Sequence, residues 1–152
     1  MNHRSANIKK RSATTTVELA VVASIALLFL FGILEYARYV HLRQIVGNAA
    51  REGSRYAVVR TGDGTTTSDV VQEVQRRLGG RGKELQNLTI EVLNVDPNTG
   101  TPIPASSWTE SGFGQAIAVR ITGEYKPILP DFLMTQQMLT IDITHMMSSE
   151  AN

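Results

Sequence analysis

An apolar run near the amino terminus sets the strongest limit on how this chain of 152 residues folds. The run covers 18 residues from Val17 to Leu34, and only Glu18, Ser24 and Gly32 interrupt its apolar character. A helix rises about 1.5 Å per residue, so the run would be about 27 Å long, close to the thickness of a bilayer's hydrocarbon core. We therefore expect a transmembrane helix. Its single carboxylate is costly in a bilayer and calls for a functional reason.

The charges around the apolar run indicate its orientation. A basic leader at residues 1–13 carries four Lys/Arg and no acidic residue, whereas Arg38 and Arg43 after the run are partly offset by Glu35. The positive-inside tendency favours a cytoplasmic amino terminus, with the rest of the chain outside the cytoplasmic membrane. A cleaved signal peptide is the alternative, but its apolar region is usually shorter, about 7–15 residues, and a small-residue cleavage site follows it.

Composition and charge exclude several classes of function. The chain has no cysteine, which excludes a disulfide scaffold, a thiol nucleophile and a thiolate metal site. Residues 1–60 carry nine basic and three acidic side chains, and residues 61–152 carry six and eleven. The basic half is the membrane-proximal half, which favours membrane lipid as a partner. No basic cluster is interleaved with aromatic residues, so we expect no nucleic acid partner.

The residues after the apolar run predict helices first and strands later. From 36 to about 59, apolar residues recur at helical spacing, which predicts an amphipathic helix that continues the transmembrane helix. A second helix is expected from Ser68 to Leu78, with Ser68 or Asp69 as its cap. Alternating apolar and polar residues then predict three strands, at 88–95, 116–125 and 138–145. No helix lies between these strands, so we expect an antiparallel meander that packs on the amphipathic helix.

The apolar face of the amphipathic helix narrows to small residues towards its end. Glycine costs a helix about 1 kcal/mol relative to alanine, so Gly53 on this face predicts a close approach of a neighbouring element. The chain thus divides into the basic leader, a transmembrane segment at 14–35 and an extracytoplasmic domain at 36–152. We expect a pilin-like α+β fold for this domain.

Two stretches of the sequence carry a family resemblance. The first, from Arg11 to Arg38, combines a basic residue, small residues, Val-Glu, the apolar run and Phe-Gly-Ile-Leu-Glu-Tyr. The second, at residues 48–57, reads Asn-Ala-Ala-Arg-Glu-Gly-Ser-Arg-Tyr-Ala. In this order and at this separation, they resemble the TadE-like family of minor pseudopilins from the tight-adherence (Flp, type IVc) pilus systems.

The resemblance implies a non-catalytic, membrane-anchored subunit with a structural or priming role in pilus biogenesis or a related secretion apparatus. The implied partners are other pilin or pseudopilin subunits, a prepilin peptidase and the pilus assembly platform. The implied peptidase cut falls between Ala13 and Thr14, which makes Glu18 the fifth mature residue. The family pattern has Gly before the cut and Phe or Tyr after the Glu, where this chain has Ala13 and Leu19.

The chemistry of Glu18 allows two interpretations. After cleavage, the new amine of Thr14 would lie about one helical turn from this carboxylate. Pairing the carboxylate with a neighbouring subunit's amine would remove an unpaired charge from the membrane and set the register of assembly. Alternatively, the side chain of Glu18 reaches the headgroups and has no role in assembly.

Glu35 and the second stretch supply further candidate assembly residues. Glu35 belongs to the pattern of the first stretch, and Arg51, Glu52 and Arg55 lie on the polar face of the amphipathic helix. Ion pairs from this face could join subunits. A solvated polar face, worth a few tenths of a kcal/mol per pair, is the alternative.

The sequence offers no set of catalytic or ligand-binding residues. His3, His41 and His145 are scattered, and no Gly-x-Ser-x-Gly motif or phosphate-binding glycine loop is present. We therefore predict no enzymatic activity, no metal and no cofactor. Trp108 and Phe113 lie in a loop and could contact a partner, unless the loop folds back and buries Trp108. The rival function is an uncleaved, single-pass anchored domain that binds an extracytoplasmic ligand.

Overall fold

The computed structural model describes the backbone of residues 4–104, 107–128 and 138–149, with side chains from residue 14 onward. The chain separates into two compact units, one that ends at Arg38 and one that begins at Tyr39. The α-helices and strands are α1 (Arg4–Val59), α2 (Thr67–Leu78), β1 (Leu85–Val95), β2 (Ala116–Tyr125) and β3 (Leu139–Ser148). This order and the three-stranded antiparallel sheet confirm the expected α+β fold.

The first unit contains the apolar half of α1. Its most apolar window of 18 residues has a mean hydropathy of 2.6 and buries none of its residues. By length and composition, α1 is therefore a candidate membrane span, the one such helix in the described part of the chain. Ser24 is compatible with this environment because its Oγ donates to the carbonyl oxygen of Ala20 at 2.8 Å. The hydroxyl thus has a partner within its own helix.

The second unit packs the later part of α1 on one face of the sheet. The stripe of α1 that was expected to be apolar is buried or half-buried, and its opposite side is mainly exposed. The core also takes the inward side chains of α2 and β2. Its central residues are Leu42, Val46, Ala49, Ala50, Ala57, Val70, Val74, Ile117, Val119 and Ile121. The amphipathic-helix prediction is confirmed.

Gly53 lies where α1 approaches both α2 and the sheet. A Cβ atom at this position would lie 2.5 Å from Val74 Cγ2 and 3.5 Å from both Cγ atoms of Val119. The first distance is shorter than real Cβ contacts, so a side chain at residue 53 requires a neighbour to move. The predicted close approach at Gly53 is confirmed.

Helix α2 begins one residue before the predicted start and has a different cap. Thr66 is the N-cap, and the carboxylate of Asp69 accepts from Thr66 N at 2.8 Å and from Thr66 Oγ1 at 2.7 Å. Asp69 therefore lies three residues after the cap and completes a capping box, so Thr66 and not Ser68 is the cap. Gly79 ends the helix with a left-handed φ of 57°, a conformation that glycine adopts without strain.

The three strands form a meander in the order β1-β2-β3. β2 and β3 pair continuously from Ala116↔Ser148 to Tyr125↔Leu139. The pairing of β1 with β2 shifts register between Gln86 and Thr89, beside Asn87 with its positive φ of 52°. β1 and β3 are both longer than predicted, because β1 begins before this irregularity and β3 continues past His145.

The chain after β1 folds back along the edge of that strand. Val95 forms an isolated bridge with Pro102, and Ile103 N donates to the carbonyl oxygen of Asn94 at 2.8 Å. On the sheet face that points away from α1, Val95 forms a small buried cluster with Ala116 and Ala118. One end of the β1 edge is thereby covered.

Candidate assembly surfaces

Glu18 lies on α1 among exposed apolar side chains. Its neighbours Val17 and Leu19 are 64% and 66% exposed, and Glu18 itself is exposed. Thr14 lies one helical turn earlier in the same helix; the side chain of Ala13 is outside the described residues. A carboxylate on an otherwise apolar helix surface can be neutralised in a membrane by a cation from a neighbouring chain. The geometry is compatible with the assembly role predicted for Glu18.

Glu35, the second acidic residue of the first unit, has a different environment. It is only 7% exposed, although Leu34 and Tyr36 on either side are 54% and 69% exposed. Buried carboxylates in proteins are normally paired or hydrogen-bonded, and Glu35 does have an interaction partner. A buried side chain offers little surface to another subunit, so Glu35 is a weaker candidate for direct assembly contact than Glu18.

The predicted set of Arg51, Glu52 and Arg55 divides into two kinds of residue. The carboxylate of Glu52 lies 3.0 Å from Arg55 Nη2 and 3.8 Å from Arg77 Nη2, so both of its ion pairs are within the chain. Arg51 is exposed and forms no ion pair in the part of the chain whose side chains are described. Of the three, Arg51 is therefore the one whose charge is available to a partner.

A charged cleft lies beside this set, between the end of α1 and α2. Its volume is about 200 Å³, and Arg60 lies 4.5 Å from the ring centroid of Tyr56 at its border. Hydrogen bonding from Arg77 lowers the pKa of Glu73, and Arg76 contributes further. The arginines that line the cleft thus have acidic or aromatic neighbours from the same chain. No sequence motif predicted this network, although the spacing of Glu73 to Arg76 and Arg77 is that of helical ion pairs.

Ser54 and His145 form a contact that no sequence motif indicated. Ser54 is fully buried, and its hydroxyl is shared between the carbonyl oxygens of Ala50, at 2.7 Å, and His145, at 2.9 Å; its Oγ also lies 3.4 Å from His145 Nδ1. Burial lowers the pKa of His145, and the positive charge of Arg51 lowers it further. The contact places the segment of α1 around Arg51 beside strand β3.

Asp142 faces away from His145, because side chains at an odd spacing along a strand point to opposite faces of the sheet. The carboxylate accepts two hydrogen bonds from Arg120, at 3.0 Å and 2.6 Å, on the outer face of the sheet. These bonds lower the pKa of Asp142. The two side chains do not form a common site.

The two aromatic residues of the loop before β2 have opposite environments. Trp108 is 4% exposed, and its Nε1 donates to Thr67 Oγ1 at 2.8 Å. This burial agrees with the alternative in which the loop folds back onto the domain. Phe113 is 82% exposed, so it is the one of the pair with surface for a partner.

The described residues include no group of three His, Asp or Glu side chains that could hold a metal ion. The loop at residues 61–64 forms a turn in which Asp63 Oδ1 accepts from Thr65 N at 3.0 Å. A hydrogen bond from the Thr65 hydroxyl, together with this backbone bond, lowers the pKa of Asp63. The loop thus uses its carboxylate to fix its own backbone.

Comparison with known proteins gives one match. Residues 13–55 match the family described as TadE-like protein, which confirms the resemblance found in the sequence and covers Glu18, Glu35 and Arg51. The family is a structural one of the Tad pilus, so the match associates this chain with that apparatus. No curated protein and no solved structure matches the chain.

Proposed function

Because residues 13–55 match the TadE-like family, we propose that this chain is a minor pseudopilin. It would be a non-catalytic subunit with a structural or priming role in tight-adherence pilus biogenesis or a related secretion apparatus. The observation that carries the proposal is Glu18, an exposed carboxylate on a helix that is otherwise suited to a membrane. A membrane-spanning anchor alone has no need of such a residue.

The proposed mechanism uses the amino-terminal end of α1. A prepilin peptidase cuts between Ala13 and Thr14, with the leader in the cytoplasm and the second unit outside the cytoplasmic membrane. The carboxylate of Glu18 then pairs with the amine of a neighbouring pilin or pseudopilin subunit as the assembly platform brings the helices together. Exchanging an unpaired intramembrane charge for a paired one favours the assembled state and fixes the register of the helices.

The second candidate is an uncleaved, single-pass anchored domain that binds an extracytoplasmic ligand. The exposure of Phe113 favours it, because exposed aromatic side chains are common anchors of binding surfaces. In this case Glu18 would only reach the headgroups, and its replacement would leave the protein's behaviour unchanged.

The mass of the amino terminus, measured on protein from its native membrane, tests the processing step. A chain that begins at Thr14 supports the pseudopilin. A chain that retains residues 2–13 would refute the cut after Ala13 and favour the anchored binding domain. A chain that begins beyond Leu34 would refute both, because the apolar run would then be a cleaved signal peptide.

Substitution of Glu18 tests the assembly step. We expect Glu18→Ala to reduce co-purification with other pilus subunits about a hundredfold or more, since a broken buried pair costs about 3–5 kcal/mol and about 1.4 kcal/mol is a factor of ten. Ser24→Ala is the matched control, because it removes a hydroxyl whose hydrogen bond stays within α1. Assembly of Glu18→Ala at the wild-type level, with the chain still in the membrane, would contradict the pairing mechanism.

A further inference from the structure

The two edges of the sheet differ in how well they are protected. The β1 edge has a register shift near Asn87 and is covered at its other end by Pro102 and Ile103. Irregularities and covering segments of this kind protect edge strands against pairing with other chains. Among the described residues, β3 has neither: its ten residues pair with β2 without a shift, and they include no proline, lysine or arginine.

The hydrogen-bond pattern identifies which groups of β3 are free. Ser149 N donates to the carbonyl oxygen of Gln115 at 2.6 Å, which fixes Ser149 as a residue bonded to the neighbouring strand. Residues of an antiparallel strand alternate between bonding to one side and to the other. The backbone groups that point away from β2 therefore belong to Thr140, Asp142, Thr144, Met146 and Ser148. None of these groups has a hydrogen-bond partner among the described residues.

We call these five outward residues the open edge of β3. Their side chains are all exposed on the outer face of the sheet. On the other face, Ile143, His145 and Met147 are only half-buried against the core. A further strand at the open edge would satisfy the free backbone groups and cover these half-buried side chains.

The charge beside the open edge indicates the chemistry of such a strand. Arg51 is exposed, forms no ion pair among the described side chains, and lies one helical turn before Ser54, whose Oγ contacts His145 of β3. A partner strand with a carboxylate on its helix-facing side would neutralise this charge. Antiparallel pairing of two copies through β3 would instead bring both Arg51 side chains to the same face of the joined sheet, which disfavours a second copy in that arrangement.

We propose that the open edge of β3 accepts an extended, acid-bearing segment of another protein as a fourth strand of the sheet. Backbone hydrogen bonds to residues 140–148 supply the register, and Arg51 selects a carboxylate. The inference goes beyond the proposed function, since it holds equally for an anchored binding domain. Its failure would leave the amino-terminal processing and the role of Glu18 untouched.

The probe is a synthetic peptide of about nine residues, within the usual range of strand lengths, in which valine and threonine alternate and a central valine is replaced by glutamate. A second peptide carries lysine at that position. Amide hydrogen exchange of the full chain in detergent micelles is measured with each peptide. We expect the glutamate peptide to slow exchange at Thr140, Asp142, Thr144, Met146 and Ser148. Amides that already bond to β2, such as that of Ile143, should not change, and docking of side chains alone would not give this alternation.

Substitutions separate the backbone and charge contributions. Thr144→Pro removes an outward N–H and should abolish peptide binding, whereas Thr144→Val keeps that group and should bind as the wild type. Arg51→Glu should weaken the glutamate peptide about fivefold and favour the lysine peptide, and Arg51→Lys should change little. Emission from buried Trp108 reports whether each variant is folded.

If Thr144→Pro does not fold, the comparison of Arg51→Glu with Arg51→Lys still tests the proposal. Absence of alternating protection with either peptide would overturn the proposal. The proposal also fails if the outward amides become protected with rising protein concentration and no peptide, because the occupant would then be a second copy. Equal binding of the two peptides would refute the selection of a carboxylate.

Discussion

Replacing Gly53 by alanine tests the packing of α1 most sharply. The added Cβ atom would lie 2.5 Å from Val74 Cγ2, whereas ordinary contacts begin near 3.4 Å. Val74 cannot easily turn away, because β-branched side chains in helices are restricted to one favoured rotamer. Overpacking of this kind costs about 1–3 kcal/mol, and the gain in helix propensity returns about 1 kcal/mol. We expect a net loss of up to about 2 kcal/mol.

Gly47→Ala is the matched control on the same helix. Its Cβ atom would have Ile143 Cδ1 as nearest neighbour at 3.9 Å, an ordinary contact. This variant should therefore gain up to about 1 kcal/mol from helix propensity alone. The two substitutions change the same atoms in the same helix, so their difference isolates the contact with Val74.

Thermal unfolding of the full chain in detergent, followed by the emission of Trp108, measures both variants. The chain has one Trp, which is buried in the second unit, so its emission follows that unit. The two variants differ by the overpacking cost of about 1–3 kcal/mol, and about 1 kcal/mol corresponds to a shift of about 4 °C for a domain of this size, so Gly53→Ala should melt about 4–12 °C below Gly47→Ala. Equal melting temperatures would refute the reasoning, since α1 and α2 would then separate at little cost.

Three further predictions concern single contacts in the second unit. The pKa of His145 is lowered in the folded state, so the stability that its neutral imidazole contributes is present above the unfolded pKa of about 6.5 and is lost as the pH falls below that pKa. Melting temperatures should therefore fall between pH 7.5 and pH 5, and they should fall less in His145→Gln. Thr67→Val should cost about 1–2 kcal/mol and shift the emission of Trp108, because the buried Nε1–H loses its acceptor. Asp69→Ala should cost about 1 kcal/mol in thermal unfolding through loss of the capping box; no change would show that the cap adds nothing.

Periodic apolar patterns predicted the elements of the fold well. The buried stripe of α1 and the alternating faces of β2 follow directly from the spacing of apolar residues, because burial selects one face of each element. The end of β3 was placed too early, at His145. Adjacent Met146 and Met147 interrupt the alternation, yet β3 continues because Ala116 and Ile117 of β2 supply partners for it.

The helix cap shows a local signal that was present but ambiguous. Thr65, Thr66, Thr67 and Ser68 can all serve as caps, so composition alone does not choose among them. The spacing of three from Thr66 to Asp69 fits a capping box and identifies the observed cap. The prediction of Ser68 was wrong because the residue three positions after it is apolar and cannot complete such a box.

Predictions for the candidate assembly surfaces were limited by contacts between distant residues. Glu18 and Glu35 are both acidic residues beside apolar ones, and no feature of the sequence indicates that only Glu35 is buried. Arg51 and Arg55 carry the same charge, but Glu52 pairs with Arg55. Of these two arginines, Arg51 is therefore the one without an ion pair among the described side chains. Such differences depend on tertiary packing, which residue types and spacing do not specify.

The bond between Ser54 and His145 joins residues 91 positions apart and has a consequence for the order of folding. During synthesis, the stripe of α1 at Leu42, Val46 and Ala50 emerges first, but the strands that cover it come later and β3 comes last. Contacts so far apart in sequence form slowly, because the long intervening loop must close first. Until the ribosome has released Ser148, an apolar surface of the second unit therefore stays uncovered. Any chain that ends before β3 keeps that surface exposed and becomes a substrate for proteases and chaperones.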